Sequence, residues 1–177
     1  MKVSIITVTY NSEKTIRDTL ESVNIQTWKN IEHVIIDGKS SDKTIEIVKS
    51  FPHIKKIISE KDSGIYDAMN KGIKIATGDI LGFLNSDDWL FSEDIIEQYV
   101  NDFENSNIDA VYGDLCFVKN DASKNIFRKW KSNDYIDGLF MKGWVPPHPT
   151  FYCKKEIFLD HGDFDSSLLF AADFDLM

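Results

Sequence analysis

Val3-Ser4-Ile5-Ile6-Thr7-Val8-Thr9, followed at once by Tyr10-Asn11, is the stretch that sets the fold class. It is a continuous β-branched run with little alternation, the pattern of a strand buried on both faces of a parallel sheet. Working outward, apolar residues recur at helical spacing at Ile16, Leu20 and Val23, with Asn11-Ser12 expected to cap that helix. Ile31–Asp37 repeats the strand pattern, and Ser40, Ser41 or Asp42 is expected to cap a helix carrying Ile45 and Val48. Residues 54–59 read as a third strand. Residues 63–77 read as a helix whose buried stripe is Ile65, Ala68, Met69, Gly72, Ile73 and Ala76, with Gly78 as its C-terminal glycine. A fourth strand over 80–84 and a helix over 92–103 follow. This βαβαβαβ rhythm predicts an α/β fold with a mostly parallel central sheet and helices on both faces.

After Ile108 the rhythm changes. Residues 110–118 and 126–131 read as strands, joined by a hairpin across 119–125. Gly143-Trp144-Val145-Pro146-Pro147-His148-Pro149 is expected to be irregular, because three prolines interrupt the backbone donors. Residues 150–153 read as a further strand and 154–161 as a short helix. The chain stops at Met177, just after Ala172-Asp173-Phe174-Asp175-Leu176, which reads as the first turn of a helix cut short.

The 177 residues give room for one domain with a sizeable core. A hydrophobic share of 42% and a charged share of 28% are those of a soluble globular domain. The net charge of -9 argues against nucleic acid as a partner. It serves solubility in any case, and it also suits a protein that holds a cation, which can supply the positive charge a phosphorylated small molecule needs. Cys116 and Cys153 form no CxxC pair, so zinc and redox-motif chemistry lack support. The apolar N-terminal run is too short for a signal peptide and no stretch reaches the length of a membrane span, so a cytoplasmic location is expected.

In an open α/β sheet, ligands bind beyond the carboxyl ends of the strands. Those ends carry Thr9-Tyr10-Asn11, Asp37-Gly38-Lys39-Ser40-Ser41-Asp42, Glu60-Lys61-Asp62-Ser63-Gly64 and Asn85-Ser86-Asp87-Asp88. Asp87 and Asp88 are adjacent acids after an apolar strand. Two close carboxylates repel unless a proton or cation lies between them, and Mg2+ or Mn2+ takes such oxygen ligands together with substrate phosphates. The plain alternative is a turn pair. Asp37 reads either as a turn residue or as an acceptor for a base or ribose. Asp67 and Asn70 share the polar face of a helix opened by Gly64. Neither a GxGxxG nor a Walker sequence occurs, which disfavours dinucleotide enzymes and P-loop NTPases. His148 reads as a diphosphate or metal contact or as a structural residue, and Trp130 and Trp144 as sugar-stacking or core aromatics.

The string Val3–Asn11, the segment Ile35-Ile36-Asp37-Gly38-Lys39-Ser40-Ser41-Asp42-Lys43-Thr44, the segment Gly64-Ile65-Tyr66-Asp67-Ala68-Met69-Asn70-Lys71-Gly72, Leu84-Asn85-Ser86-Asp87-Asp88, His148-Pro149-Thr150-Phe151-Tyr152 and Ala172-Asp173-Phe174-Asp175-Leu176 together resemble family 2 glycosyltransferases, in order and over nearly the whole chain. The resemblance implies the GT-A fold in a single catalytic domain. Residues 1–105 would be its nucleotide-sugar-binding half, and residues 106–177 its acceptor-side half, a small mixed segment cut short at the C-terminus. It implies that Thr9, Tyr10 and Asn11 line the nucleoside pocket, that Asp37 and Asp62 bind the base, and that Gly64, Asn70 and His148 belong to the nucleotide-sugar site. Asp87 would lie near ribose and metal, and Asp88 would be the main ligand of a divalent metal, Mn2+ or Mg2+, bridging the donor's diphosphate. Asp173 would be the general base. Asn85 and Ala172 depart from the family pattern, each standing where relatives often carry an acid.

The implied reaction is inverting transfer of a sugar from a nucleoside-diphosphate donor, a UDP-sugar first, to a hydroxyl of a glycan or lipid-linked acceptor in polysaccharide biosynthesis. The resemblance further implies peripheral membrane association at the inner face in a longer form. Without the covering helices, exposed apolar surface would favour a homo-oligomer. Two other readings stand beside it: a sugar-nucleotide nucleotidyltransferase, which would need a Gly- and Arg-rich loop after the first strand, and a nucleotide-sugar-binding module without turnover.

Overall fold

The computed structural model describes residues 1–119, 125–168 and 171–172. Its main sheet has six strands in the order β3-β2-β1-β4-β8-β5. Strand β1 (Val3–Thr9) lies between β2 (Ile31–Asp37) and β4 (Ile80–Phe83), with β3 (Lys56–Ser59) outside β2, and these four are parallel. All seven β1 residues are buried, as a strand covered on both faces must be. Strand β8 (Tyr152–Lys154) runs antiparallel to both β4 and the short β5 (Ala110–Val111).

Alternation along the strands sorts the two faces. Ile6, Val8, Val34, Ile36 and Leu81 pack on α3 (Ile65–Ile75) through Ala68, Met69 and Ile73, and on α5 (Lys155–His161) through Phe158. Val3, Ile5 and Ile80 pack on the opposite face, against Val23 of α1 (Ile16–Asn24) and against Ile96 and Val100 of α4 (Ile95–Asn105). Ile35 joins Ile16, Leu20 and Val48 of α2 (Thr44–Lys49) on that face. The expected layers are all present.

The differences are local. Helix α1 starts at Ile16 after an N-cap Thr15 that makes no side-chain cap bond. The Ser12 carbonyl accepts from Thr15 N and Ile16 N, while its hydroxyl pairs with Ser86 instead of capping. Helix α3 ends at Ile75, and Gly78 does not terminate it. A Cβ on Gly78 would stand 2.6 Å from Ser4 N, so this glycine is required by close approach to β1. Ile65, assigned to the buried stripe, is 48% exposed at the first turn. The strand expected over 110–118 breaks: Val111 stays in the main sheet, whereas β6 (Leu115–Val118) pairs antiparallel with β7 (Ile126–Trp130) as a separate ribbon. The break is fixed by Gly113 N donating to Thr150 Oγ1 and by Asp114 Oδ1 accepting from Ser132 N and Oγ. Between Gly143 and Pro149 the backbone is irregular as expected until a single 3-10 turn, His148–Thr150. Cys153 is buried and Cys116 half-buried, both as free thiols.

Candidate functional site

Strand register brings the first two loops to one level. Thr9 lies opposite Asp37, and Asp37 opposite Ser59. Asp37 is 0% exposed. A buried carboxylate must be hydrogen-bonded, and this one accepts from Ser40 N (3.0 Å), the Ser40 hydroxyl and the Ser59 hydroxyl (2.6 Å). Ser40 Oγ in turn accepts from Asn11 N at 2.8 Å, and Asn11 Oδ1 accepts from Ser41 N at 2.9 Å. Asn11 sits at φ 50, a left-handed conformation that asparagine tolerates. Asp37 is expected to bind the base; in this structure its oxygens accept from Ser40 and Ser59, which anchors the loop that carries Ser40 and Ser41.

The open surface above that loop belongs to Tyr10 and Asp62. A Cβ on Gly38 would stand 2.7 Å from Asp62 Oδ2 and 3.4 Å from Tyr10 Cδ2, so both side chains close over this glycine. Tyr10 is 65% exposed. Asp62 Oδ1 accepts from Gly64 N at 3.2 Å, and Gly64 holds φ 131 and ψ 175, which only glycine adopts without strain. Asp67 Oδ2 accepts from Ser63 N and pairs with Lys71, which fixes the start of α3 below Gly64. Thr9 Oγ1 is buried without a hydrogen-bond partner at the head of β1. An exposed ring beside a carboxylate is suited to stacking a base and accepting its N–H.

The third loop is stitched to the first. Ser86 and Ser12 hydroxyls are 2.8 Å apart, and Asp88 N donates to Asn85 O. Asp87 is exposed and Asp88 half-buried. Burial first, and then the Asp87 charge, push the Asp88 carboxyl above its usual range, against the opposing pull of His148 and a hydrogen bond from Asn85. Asn85 Oδ1 is buried with no partner. Among the described residues no group of three or more His, Cys, Asp or Glu side chains converges as a closed metal site. Two adjacent carboxylates beside an unsatisfied amide oxygen do fit an open-sided site for a hard cation, with phosphate oxygens left to complete the shell.

The remaining expected residues divide. His148 is exposed on its 3-10 turn, close enough to act on the charge of Asp88. Asn70 is engaged within the fold: its Nδ2 donates to Phe164 O at 2.8 Å and its Oδ1 accepts from Phe164 N at 2.9 Å. Both ends of this buried amide hold the 164 segment onto α3. Trp144 packs edge-on against Tyr112 and Phe140, so it orders the irregular segment that carries it. Asp173 lies outside the described residues. Sequence reading missed Ser40, Ser59, Ser12 and Ser86 as the residues that join the loops. The serines after Asp37-Gly38 were visible, but their partners are distant in sequence.

Two hollows meet at this site, sharing Asn85, His148 and Pro149. One, of about 440 Å3, is lined by Tyr66, Phe83, Phe158, Phe164 and Ala171 on the α3/α5 side. The other, of about 540 Å3, opens toward α1, α4 and the β6–β7 ribbon and includes Asp87 and Asp88. Among the described residues no helix is long and apolar enough to cross a membrane.

Similarity to known proteins runs along the same residues. The chain is 32% identical over 179 residues to a PGL/p-HBAD biosynthesis glycosyltransferase of Mycobacterium bovis, covering 97% of this chain and 66% of that protein. It is 28% identical over 183 residues to an uncharacterized glycosyltransferase of Methanocaldococcus jannaschii, covering 98% and 62%. The chain therefore spans just under two thirds of the length of these curated relatives. Among solved structures, S. aureus TarS 1-349 in complex with UDP superposes with a TM-score of 0.77 at 21% identity, covering 99% of this chain and 54% of that one. The mannosyltransferase PcManGT from Pyrobaculum calidifontis, in complex with GDP-Man and Mn2+, gives a TM-score of 0.74 at 22% identity, covering 99% and 50%. These two likenesses show the fold, which is GT-A. The pattern of "Glycosyl transferase family 2" matches residues 4–166, and with the stitched loops, the acid pair and the parallel sheet beneath them the chain belongs to that family.

Proposed function

We propose that this chain is the donor-binding and catalytic domain of a metal-dependent, inverting glycosyltransferase that uses a nucleoside-diphosphate sugar, a UDP-sugar first. The observation that carries the reading is the half-buried Asp88 beside Asp87 and the unpartnered Asn85 Oδ1, at the carboxyl edge of the sheet and tied through Ser86 and Ser12 to the loop bearing Tyr10. Tyr10 would stack the base and Asp62 would accept its N–H, with the Asp37-anchored loop holding Asn11 in place. Asp87 and Asp88 would hold Mn2+ or Mg2+, which offsets negative charge on the departing diphosphate. His148 would contact the diphosphate. Two neighbours of the same fold were solved with UDP and with GDP-Man and Mn2+, which supports this donor class.

Asp173 is proposed as the general base, on the family resemblance. Ala171, two residues before it, lines the same hollow as Asn85 and His148, which supports that assignment. Asp173 would take the proton of the acceptor hydroxyl as its oxygen attacks the anomeric carbon. The bond to the diphosphate breaks on the opposite side, and the configuration inverts. The acceptor is proposed to be a glycan or lipid-linked sugar in polysaccharide biosynthesis, met in the cytoplasm at the inner face of the membrane.

The test is calorimetric titration with UDP, GDP and dTDP, each with and without Mn2+, on the wild type and on Asp88→Asn. One nucleotide should bind, lose its affinity on chelation, and bind about tenfold or more weakly to the variant, the scale seen when a metal's ligand shell is damaged. Unchanged affinity and unchanged metal dependence in Asp88→Asn would remove the metal assignment.

A further inference from the structure

Three loops carry the proposed donor site, and they are not joined equally. Residues 10–13 and 37–44 are latched along their length. Asn11 N donates to Ser40 Oγ at 2.8 Å, Ser41 N to Asn11 Oδ1 at 2.9 Å and Ser12 N to Thr44 Oγ1 at 2.7 Å. Glu13 N donates to Asp42 Oδ2 at 3.1 Å, and Lys43 N to Glu13 Oε2 at 3.0 Å. Donors come from both loops, so neither shifts without the other. The loop 85–88 is held differently. Its flanks are tied down by Leu84 N donating to Ile6 O at 3.0 Å and Leu90 N donating to Ser22 Oγ at 3.1 Å. Between those flanks, among the described residues, one hydrogen bond joins 85–88 to either of the other loops. It is the contact of the Ser86 and Ser12 hydroxyls at 2.8 Å.

Proton count fixes the direction of that bond. Ser12 Oγ donates to Tyr10 O at 3.3 Å, and a serine hydroxyl has one proton to give. Ser86 is therefore the donor to Ser12. The chain from Ser86 through Ser12 to Tyr10 O links the residue before the acid pair to the backbone of the exposed ring. Ser86 is 8% exposed, so water competes poorly for its hydroxyl.

We propose that Ser86 is a positioning residue: through Ser12 it holds Asp87 and Asp88 at the distance from Tyr10 that one nucleoside diphosphate spans. The proposal rests on the donor-site reading above. A nucleoside diphosphate engages the base site and the cation together. Its second contact is then intramolecular, and the strength of that contact depends on a spacing set in advance. Without the hydroxyl, each half of the site keeps its own groups. Loop 85–88 takes a range of positions, and the gain from engaging both halves is what falls.

The test uses the wild type, Ser86→Ala, Ser12→Ala, the double variant and Ser86→Thr. Calorimetry follows whichever of UDP, GDP and dTDP binds, with Mn2+ and with EDTA; NMR titration follows the matching nucleoside. In Ser86→Ala the Mn2+-dependent gain in diphosphate affinity should shrink about fivefold, the worth of one lost hydrogen bond. Nucleoside affinity should stay within about twofold of wild type. Ser12→Ala cuts the same link from the other loop and should shrink the gain likewise, so the outcome does not depend on Ser86→Ala folding. The double variant should lose no more than either single one, because both remove one interaction. Ser86→Thr keeps the hydroxyl and should recover the gain. A full Mn2+-dependent gain in the alanine variants, or an equal loss for diphosphate and nucleoside, overturns the inference and leaves the donor-site reading standing. A wild type that binds none of the three diphosphates overturns that reading, and the inference with it.

Discussion

Gly38 shows how narrowly single residues set the proposed donor site. It has no side chain because Asp62 Oδ2 and Tyr10 occupy the space where a Cβ would go. Gly38→Ala should therefore displace Asp62, whose carboxylate is the movable end of the contact, and free it from Gly64 N. Nucleotide affinity is expected to fall about tenfold while stability changes by less than about 1.5 kcal/mol, the range of small overpacking at a site that can yield. Calorimetry and a thermal melt on one sample separate the two; UDP binding at wild-type strength would show that Asp62 does not touch the donor. The sequence displayed Asp37, Asp62, Asp87 and Asp88 as equivalent acids after strands. Their burial makes them unequal: Asp37 serves the loop from within, while Asp87 faces out.

At the level of elements, every helix and strand of the first half was legible from pattern, because the helices bury a regular stripe and a central strand such as β1 is a continuous apolar run. Boundaries were less so. The hydroxyl of Ser12 had a cap role available and took Ser86 instead, a partner 74 residues away. Asn70 is the sharper case. On the helix it reads as polar surface, yet it is 8% exposed and clamps the 164 segment. Asn70→Ala should leave a buried N–H and a buried carbonyl of Phe164 unmatched, at about 1–3 kcal/mol each. A loss of about 2–5 kcal/mol in urea denaturation is expected, with the slope unchanged. A loss below about 0.5 kcal/mol, as for a surface substitution, would mean that the clamp is not formed in solution.

For the whole molecule, acid is the condition that separates buried from solvated charge. His33 is 2% exposed, bonded to Thr7 and His53, and burial followed by the His53 charge holds its pKa down to about 3. Glu32 loses by burial, but Ser4, Thr77, Lys2 and Lys56 outweigh this and hold its pKa well below the usual range. Both folded pKa values are depressed, so below the unfolded values the unfolded chain binds protons that the native one refuses. Stability is full above about pH 6.5 and falls as pH drops from there toward 3. The slope from His33 alone is up to about 1.4 kcal/mol per pH unit, and Glu32 adds its share only below about pH 4.5. Melting temperatures at intervals from pH 8 to 4 should be level and then decline below 6.5, and His33→Gln should flatten the decline between 6.5 and 4.5. The same decline in the variant would place its origin elsewhere.

The sequence alone determined the parallel sheet, the sorting of helices to two faces, and the set of loops that carry chemistry, because these follow from periodicities that neighbouring residues impose. It also carried the family, through motifs spread in order along the chain. Tertiary structure decided which of the candidate groups are already engaged within the fold. Ser59 turns Asp37 inward, Phe164 occupies Asn70, Tyr112 and Phe140 enclose Trp144, and burial together with Asp87 and His148 sets the charge of Asp88. Apart from Asp87, the neighbour of Asp88 in the chain, these partners lie far along the sequence or across an element boundary. Hydrogen bonding and desolvation act over a few ångströms in space, and no spacing within the sequence encodes that distance.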